Sequence, residues 1–166
     1  MNAEAKQVMA GFAKYSSARR QFLTSIGLPG SNRDPLAEFA ECLAASLLEG
    51  RRAPSRTQKG WDIQLADGSK VQVKYLANRS DAWVNEHPVR FENGVTRYAL
   101  LIIEDLSPRA LVVMSSSRLT DVCSKLGKRH PNQDCTLQFT RANFRQLIRE
   151  RAQFEALGVE ITDLNG

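Results

Sequence analysis

Gly60-Trp61-Asp62-Ile63-Gln64-Leu65-Ala66-Asp67-Gly68-Ser69-Lys70-Val71-Gln72-Val73-Lys74 reads as two alternating runs joined at Asp67-Gly68, the signature of a β-hairpin. Its register decides which side chains share a face. A two-residue turn centred on Asp67-Gly68 would set Ile63 opposite Gln72 and mix polar with apolar residues on both faces. A three-residue loop, Ala66-Asp67-Gly68, with Gly68 left-handed as a G1 bulge, instead sets Ile63 opposite Val71 and Asp62 opposite Gln72. Ile63, Leu65, Val71 and Val73 then share one face, and Asp62, Gln64, Lys70, Gln72 and Lys74 share the other. Strand periodicity selects this second register, because a slip of one residue would turn every side chain to the wrong face.

Upstream of the hairpin, Asp34-Pro35 opens a helix, with Asp34 as N-cap and proline at the first helical position. Leu36, Phe39, Ala40, Leu43, Ala44, Leu47 and Leu48 form its apolar stripe, and Gly50 is expected to end it. Glu38 and Glu41 lie on one side of this helix. Glu38, near the helix start, reads as a polar flank favoured by the dipole. Glu41 borders the stripe, so its carboxylate is expected to point inward along the sheet edge, where a buried charge needs a partner. Between helix and hairpin lies a basic connection whose Arg51, Arg52, Arg56 and Lys59 are candidate contacts to DNA phosphates.

Elsewhere the chain predicts an N-terminal helix over residues 3–24 and a loop at 27–32. Residues 78–95 suggest an ordered excursion including a strand. Strands are expected at 98–104 and 110–114 around Ser107-Pro108, then a helix at 116–126. A basic loop leads to a short strand at 136–139. Thr140 caps a helix to about residue 154, and 159–161 form a last strand. Arg141, Arg145 and Arg149 recur every four residues on that helix and read as its solvent face. The expectation is one α/β domain spanning 1–166, with a central mixed β-sheet flanked by helices.

The bulk composition sets limits on function. Lysine and arginine outnumber the acids 23 to 18, a net charge of +5 that hints at a polyanionic partner. No apolar run is long enough to cross a bilayer, and the first residues lack a secretory signal, which points to the cytoplasm. Cys42, Cys123 and Cys135 form no CxxC pair and read as plain thiols rather than as zinc ligands or a disulfide framework.

Asp62 and Glu41 are oxygen donors suited to a hard cation, and the side-chain or backbone carbonyl of Gln72 is another. Lys74, the next residue on that face, would bring positive charge to a reacting phosphate. The order of helical Glu41, then Asp62, then Gln72-Val73-Lys74 across a hairpin resembles the PD-(D/E)xK nuclease superfamily over residues 34–104, in a QxK variant. The resemblance implies a restriction-endonuclease-like αβββαβ core. It implies Glu41, Asp62 and Gln72 as metal positions and Lys74 as the catalytic lysine, with Mg²⁺ as cofactor and Mn²⁺ as its substitute. Gln72 stands where the family usually has an acid, and Trp61 stands where it has proline. The implied activity is endonucleolytic cleavage of DNA in restriction or host defence by a homodimer. The alternatives are a catalytically inactive DNA-binding or assembly module of the same fold, or a repair or junction-resolving nuclease.

Overall fold

The computed structural model describes residues 2–55, 60–77, 94–127 and 139–164, together with the backbone of 88–90 and 136–138. The chain forms an α/β structure around a six-stranded mixed sheet. Its strands are β1 (Arg51–Arg52), β2 (Ile63–Gln64), β3 (Lys70–Leu76), β5 (Arg97–Glu104), β6 (Ser107–Ser115) and β8 (Glu160–Asp163), neighbours in that order. Strands β3 and β5 run parallel and every other neighbouring pair is antiparallel. A separate antiparallel pair joins β4 (Pro88–Arg90) to β7 (Thr136–Gln138). The strand expected within 78–95 is therefore present, and the rest of 78–93 lies outside the described residues.

Strand alternation divides the interior into two layers. Val71 and Val73 of β3, with Ala99, Leu101 and Ile103 of β5 and Leu111 and Val113 of β6, face helix α2 (Pro35–Leu47). The alternate residues Leu76, Tyr98, Leu100, Ile102, Ala110, Val112 and Met114 face the other layer. That layer contains α3 (Leu119–Lys125), α4 (Arg141–Arg149) and α5 (Arg151–Glu155). A strand buried on both faces carries a nearly continuous apolar run, which explains Ala99-Leu100-Leu101-Ile102-Ile103, each at most 1% exposed. Five sheet strands, β1, β2, β3, β5 and β6, lie between α2 and the C-terminal helices, two more than in an αβββαβ order, and β1 and β2 have two residues each.

The hairpin has the three-residue loop and the expected register. Ile63 pairs with Val71 and Gln64 with Lys70. The Leu65 N–H donates to the Ser69 carbonyl at 2.9 Å, and Gly68 has φ 84°. Its first strand is short, because β2 stops at Gln64 and leaves no ladder before Ile63.

Three further boundaries move. Helix α2 starts as read, with the Asp34 carboxylate accepting from the Leu36 N–H at 3.1 Å, but it ends at Leu47. The left-handed residue after it is Glu49 (φ 52°), not Gly50. Gly50 serves packing instead: a Cβ there would sit 2.4 Å from Ile63 Cγ2. The turn between β5 and β6 is Asp105-Leu106, both at positive φ, so Ser107-Pro108 falls inside β6. Pro108 is tolerated because β8 pairs only with residues 110–113 and needs no N–H from it. The C-terminal helix breaks at Glu150 into α4 and α5, and its N-terminus carries a reciprocal capping box between Thr140 and Asn143.

The N-terminal helix α1 (Ala3–Ser25) is as long as expected but packs little. Leu23 is its buried residue, and the Phe22 ring meets Phe39 of α2 edge-on at 6.2 Å. Val8, Met9, Phe12 and Tyr15, the stripe that marks it as amphipathic, are all more than half exposed.

Candidate functional site

The site lies at the open edge of β3. On one side β3 pairs with β5 from Val71 to Leu76, while on the other β2 covers only Lys70 and Val71. Just before β2 begins, the chain bends at Asp62. The Asp62 N–H donates to the Val71 carbonyl at 2.8 Å, and its Oδ2 accepts from the Val73 N–H at 2.7 Å. The carboxylate thus takes the place of a strand partner, lying at the sheet edge rather than on the polar face where the register would put it.

Beside this bend is a cavity of about 300 Å³. Its lining includes Glu41 from α2, Asp62 from the bend, and Gln72 and Lys74 from β3, so all four expected site residues border one cavity. Residues of β3 that belong to different faces line one cavity because the missing strand opens the edge between them. Gln72 is 7% exposed and does not sit on a wet face. Among the described residues, no hydrogen bond or ion pair engages the Lys74 ammonium.

Sequence reasoning does not find Arg33, which also lines this cavity. Arg33 Nη2 donates to Glu41 Oε1 at 2.6 Å, and Nη1 donates to Oε2 at 3.2 Å. A partner for Glu41 is therefore present in the chain itself, a guanidinium fork rather than the divalent cation expected of the site. Burial pushes the Glu41 carboxyl above its usual range; the Arg33 hydrogen bond opposes this, and the negative charge of Asp62 adds to it. Arg33 is raised in turn, chiefly by its bond to Glu41. The mutual influence of Glu41, Asp62 and Arg33 marks one electrostatic unit. Arg33 has no periodicity to betray it; the available signal was a base directly before a helix cap.

Glu38 is not a surface flank. It is fully buried, accepts from Ser31 Oγ at 2.5 Å, and has Arg33 Nη1 4.0 Å away. The N-cap Asp34 also accepts from the hydroxyl of Tyr75, another cavity residue, which ties the start of α2 to β3.

The proposed DNA contacts divide. Arg52 is close enough to Glu41 to act on its charge, and its Nη1 donates to Cys42 Sγ at 3.0 Å. Arg51 lines a different depression, with Glu49, Gln64, Leu65 and Ala66. Arg56 and Lys59 lie outside the described residues, as does Cys135. The arginine stripe of the C-terminal helix is not a solvent face throughout: Arg141 is 8% exposed, bound to Glu104 at 3.0 Å and to the Ile103 carbonyl at 2.9 Å.

The donor set is two carboxylates and a carboxamide, all oxygen, the type Mg²⁺ takes. In chemical type these residues fit such an ion, although Glu41 is already held by Arg33 through both oxygens. Among the described residues no group of three or more histidine, cysteine, aspartate or glutamate side chains could hold a metal. No helix among them is long and apolar enough to cross a membrane. No family model and no curated protein matches the sequence.

Proposed function

We propose that the chain is a Mg²⁺-dependent endodeoxyribonuclease domain of the PD-(D/E)xK kind, acting in the cytoplasm in restriction or host defence. One observation carries the reading. Glu41, Asp62, Gln72 and Lys74, singled out by the hairpin register, the helix stripe and the family resemblance, line a single cavity at the edge of β3.

The chemistry assigned to each residue follows from its position. Asp62, Glu41 and the Gln72 carbonyl would hold the cation, which when bound polarises the phosphate of the scissile bond. Lys74 lines the same cavity, and its ammonium is engaged by no group among the described residues. It orients the attacking water and stabilises the negative charge that grows on the phosphoryl oxygens. Water adds to phosphorus and the P–O bond to one nucleoside breaks, its oxygen leaving with a proton. A homodimer would present two such cavities to the two strands of a duplex, matching the two-fold symmetry of DNA.

A second reading has specific support. Gln72 lacks the usual negative charge, and Arg33 neutralises Glu41. Both suit a DNA-binding module without catalysis. Plasmid nicking separates the two. Mg²⁺-stimulated nicking, abolished by EDTA and by Lys74→Ala, is the expected result. DNA binding indifferent to metal and to that substitution would overturn the enzyme in favour of the module. Linear, branched and methylated duplexes in the same assay would divide restriction from junction cleavage.

A further inference from the structure

We propose that Arg33 is an internal latch on the metal site, a guanidinium that occupies Glu41 in place of a divalent cation and must leave before the cation is held. The inference rests on the nuclease reading and deepens it by adding a regulator of metal loading.

Three observations carry it. The first is the geometry. Arg33 grips both Glu41 oxygens with both terminal nitrogens, a bidentate fork, which is the strongest pairing available to a carboxylate from a side chain. Those oxygens are the ones a cation in the cavity would use. The second is the difference in burial between the partners. The Glu41 side chain is 7% exposed and that of Arg33 is 39% exposed. The acid is fixed in the wall, whereas the guanidinium has solvent into which it can turn.

The third is that the backbone carrying Arg33 is anchored independently of the fork. Arg19 of α1 donates to the carbonyls of Ser31 and Arg33 at 2.9 and 2.8 Å. The Arg33 N–H donates to Ser31 Oγ at 3.2 Å, and that hydroxyl donates onward to Glu38. The guanidinium can therefore leave Glu41 without unfolding the loop.

The physical logic is one of competition. A buried carboxylate cannot stay unpaired without cost. In the metal-free protein Arg33 meets that need. A cation that binds only the open latch has its apparent affinity lowered by the open fraction. Released, the guanidinium stands at the mouth of the same cavity, where a DNA phosphate would offer it a new bidentate partner. Metal and DNA would then favour one another's binding, which suits a site that lacks the third carboxylate.

The test is calorimetric titration of MnCl₂ into the full chain without DNA. It compares wild type, Arg33→Gln and Arg33→Lys, with folding checked by circular dichroism. Arg33→Gln should bind Mn²⁺ roughly tenfold or more tightly than wild type, as for a latch closed about nine-tenths of the time. Arg33→Lys keeps the charge but loses the fork, so its affinity should fall between the two. It carries the test alone should the glutamine variant not fold. In a Glu41→Gln background, Arg33→Gln should change the affinity little, because the charged fork on which the latch depends is already gone. Equal or weaker binding by a folded Arg33 variant, with wild type binding Mn²⁺, would overturn the latch and leave the nuclease reading standing. Binding of Mn²⁺ by none of the folded proteins would overturn the metal site itself, and the latch with it.

Discussion

Asp62 has two separable duties, one to the fold and one to the charge of the cavity. Its Oδ2 closes the edge of β3 by accepting from the Val73 N–H, and its charge reaches both Glu41 and Arg33. Asp62→Asn keeps an oxygen acceptor but discards the charge, whereas Asp62→Ala discards both. On the proposed nuclease function, the asparagine variant should lose at least about 100-fold in nicking rate. The alanine variant should lose as much, and should in addition be less stable than the asparagine variant by roughly 1 kcal/mol, the worth of a net hydrogen bond. Both lift the same charge from Glu41, so the difference between them isolates the hydrogen bond. Urea unfolding beside the nicking assay checks both, and an Asp62→Asn protein that nicks at the wild-type rate would remove Asp62 from the mechanism.

The cysteines give a second residue-scale prediction. Burial pushes the Cys123 thiol up to about 11. Cys42 is also raised by burial, against the opposing charge of Arg52. The thiolate is the nucleophile. A raised value keeps Cys123 protonated at neutral pH, and its reactivity should climb with pH until the raised value is reached. Alkylation by iodoacetamide, followed by peptide mass mapping, should be slow at pH 7.5. It should accelerate roughly tenfold per pH unit through pH 8–10. A rate at Cys123 that levels off near pH 8.5 would mean an ordinary, exposed thiol. Cys42 and Cys123 are free cysteines, each partly buried.

At the scale of elements, the hairpin and α2 were legible for physical reasons, and their ends were not. Only one register separates Ile63 and Val71 from Gln72 and Lys74, so alternation alone selects it. An Asp-Pro start is equally local. The start of β2 depends on Asp62 turning out of the ladder to serve Val73, a choice set at the strand edge and invisible to periodicity. Glu49 rather than Gly50 takes the left-handed position because Gly50 is needed elsewhere. A Cβ on Gly50 would lie 2.4 Å from Ile63 Cγ2 and 2.8 Å from Leu65 Cδ2. Ile63 is fully buried and Cγ2 sits on its branch point, so the clash cannot be relieved by swinging a flexible tip. Gly50→Ala should cost about 1–3 kcal/mol, the usual range for overpacking, measured by chemical denaturation. Gly68→Ala meets open space and pays only for its left-handed backbone, roughly 1–2 kcal/mol. If Gly50→Ala proves harmless, the helix and hairpin are not packed as tightly as described.

Viewed as a whole, the molecule is a tightly buried sheet with one long helix attached at its end. The apolar spacing of α1 was readable, but its partner was not, since a stripe states that a face is apolar and says nothing of what covers it. Here Leu23 is the residue of α1 that reaches the core, and Arg19 ties the helix to the loop carrying Arg33. The part before Ser16 exposes Val8, Met9, Phe12 and Tyr15. Helices gain most of their stability in proteins from tertiary packing, and an isolated stretch under about 12–15 residues is marginal in water. Residues 3–15 should therefore open locally at far lower free energy than the sheet. Amide hydrogen exchange should reach completion across this stretch before exchange begins at 98–102 in β5 or 110–113 in β6. The helix should become protected near Arg19–Leu23, where the clasp and the core contact begin. Deleting residues 2–15 should move the unfolding midpoint by no more than about 2 °C, the shift expected for a few tenths of a kcal/mol in a domain of this size. Protection of 3–15 equal to that of β5 would mean that this face is covered in solution, and the view of α1 as an independently opening arm would have to be given up.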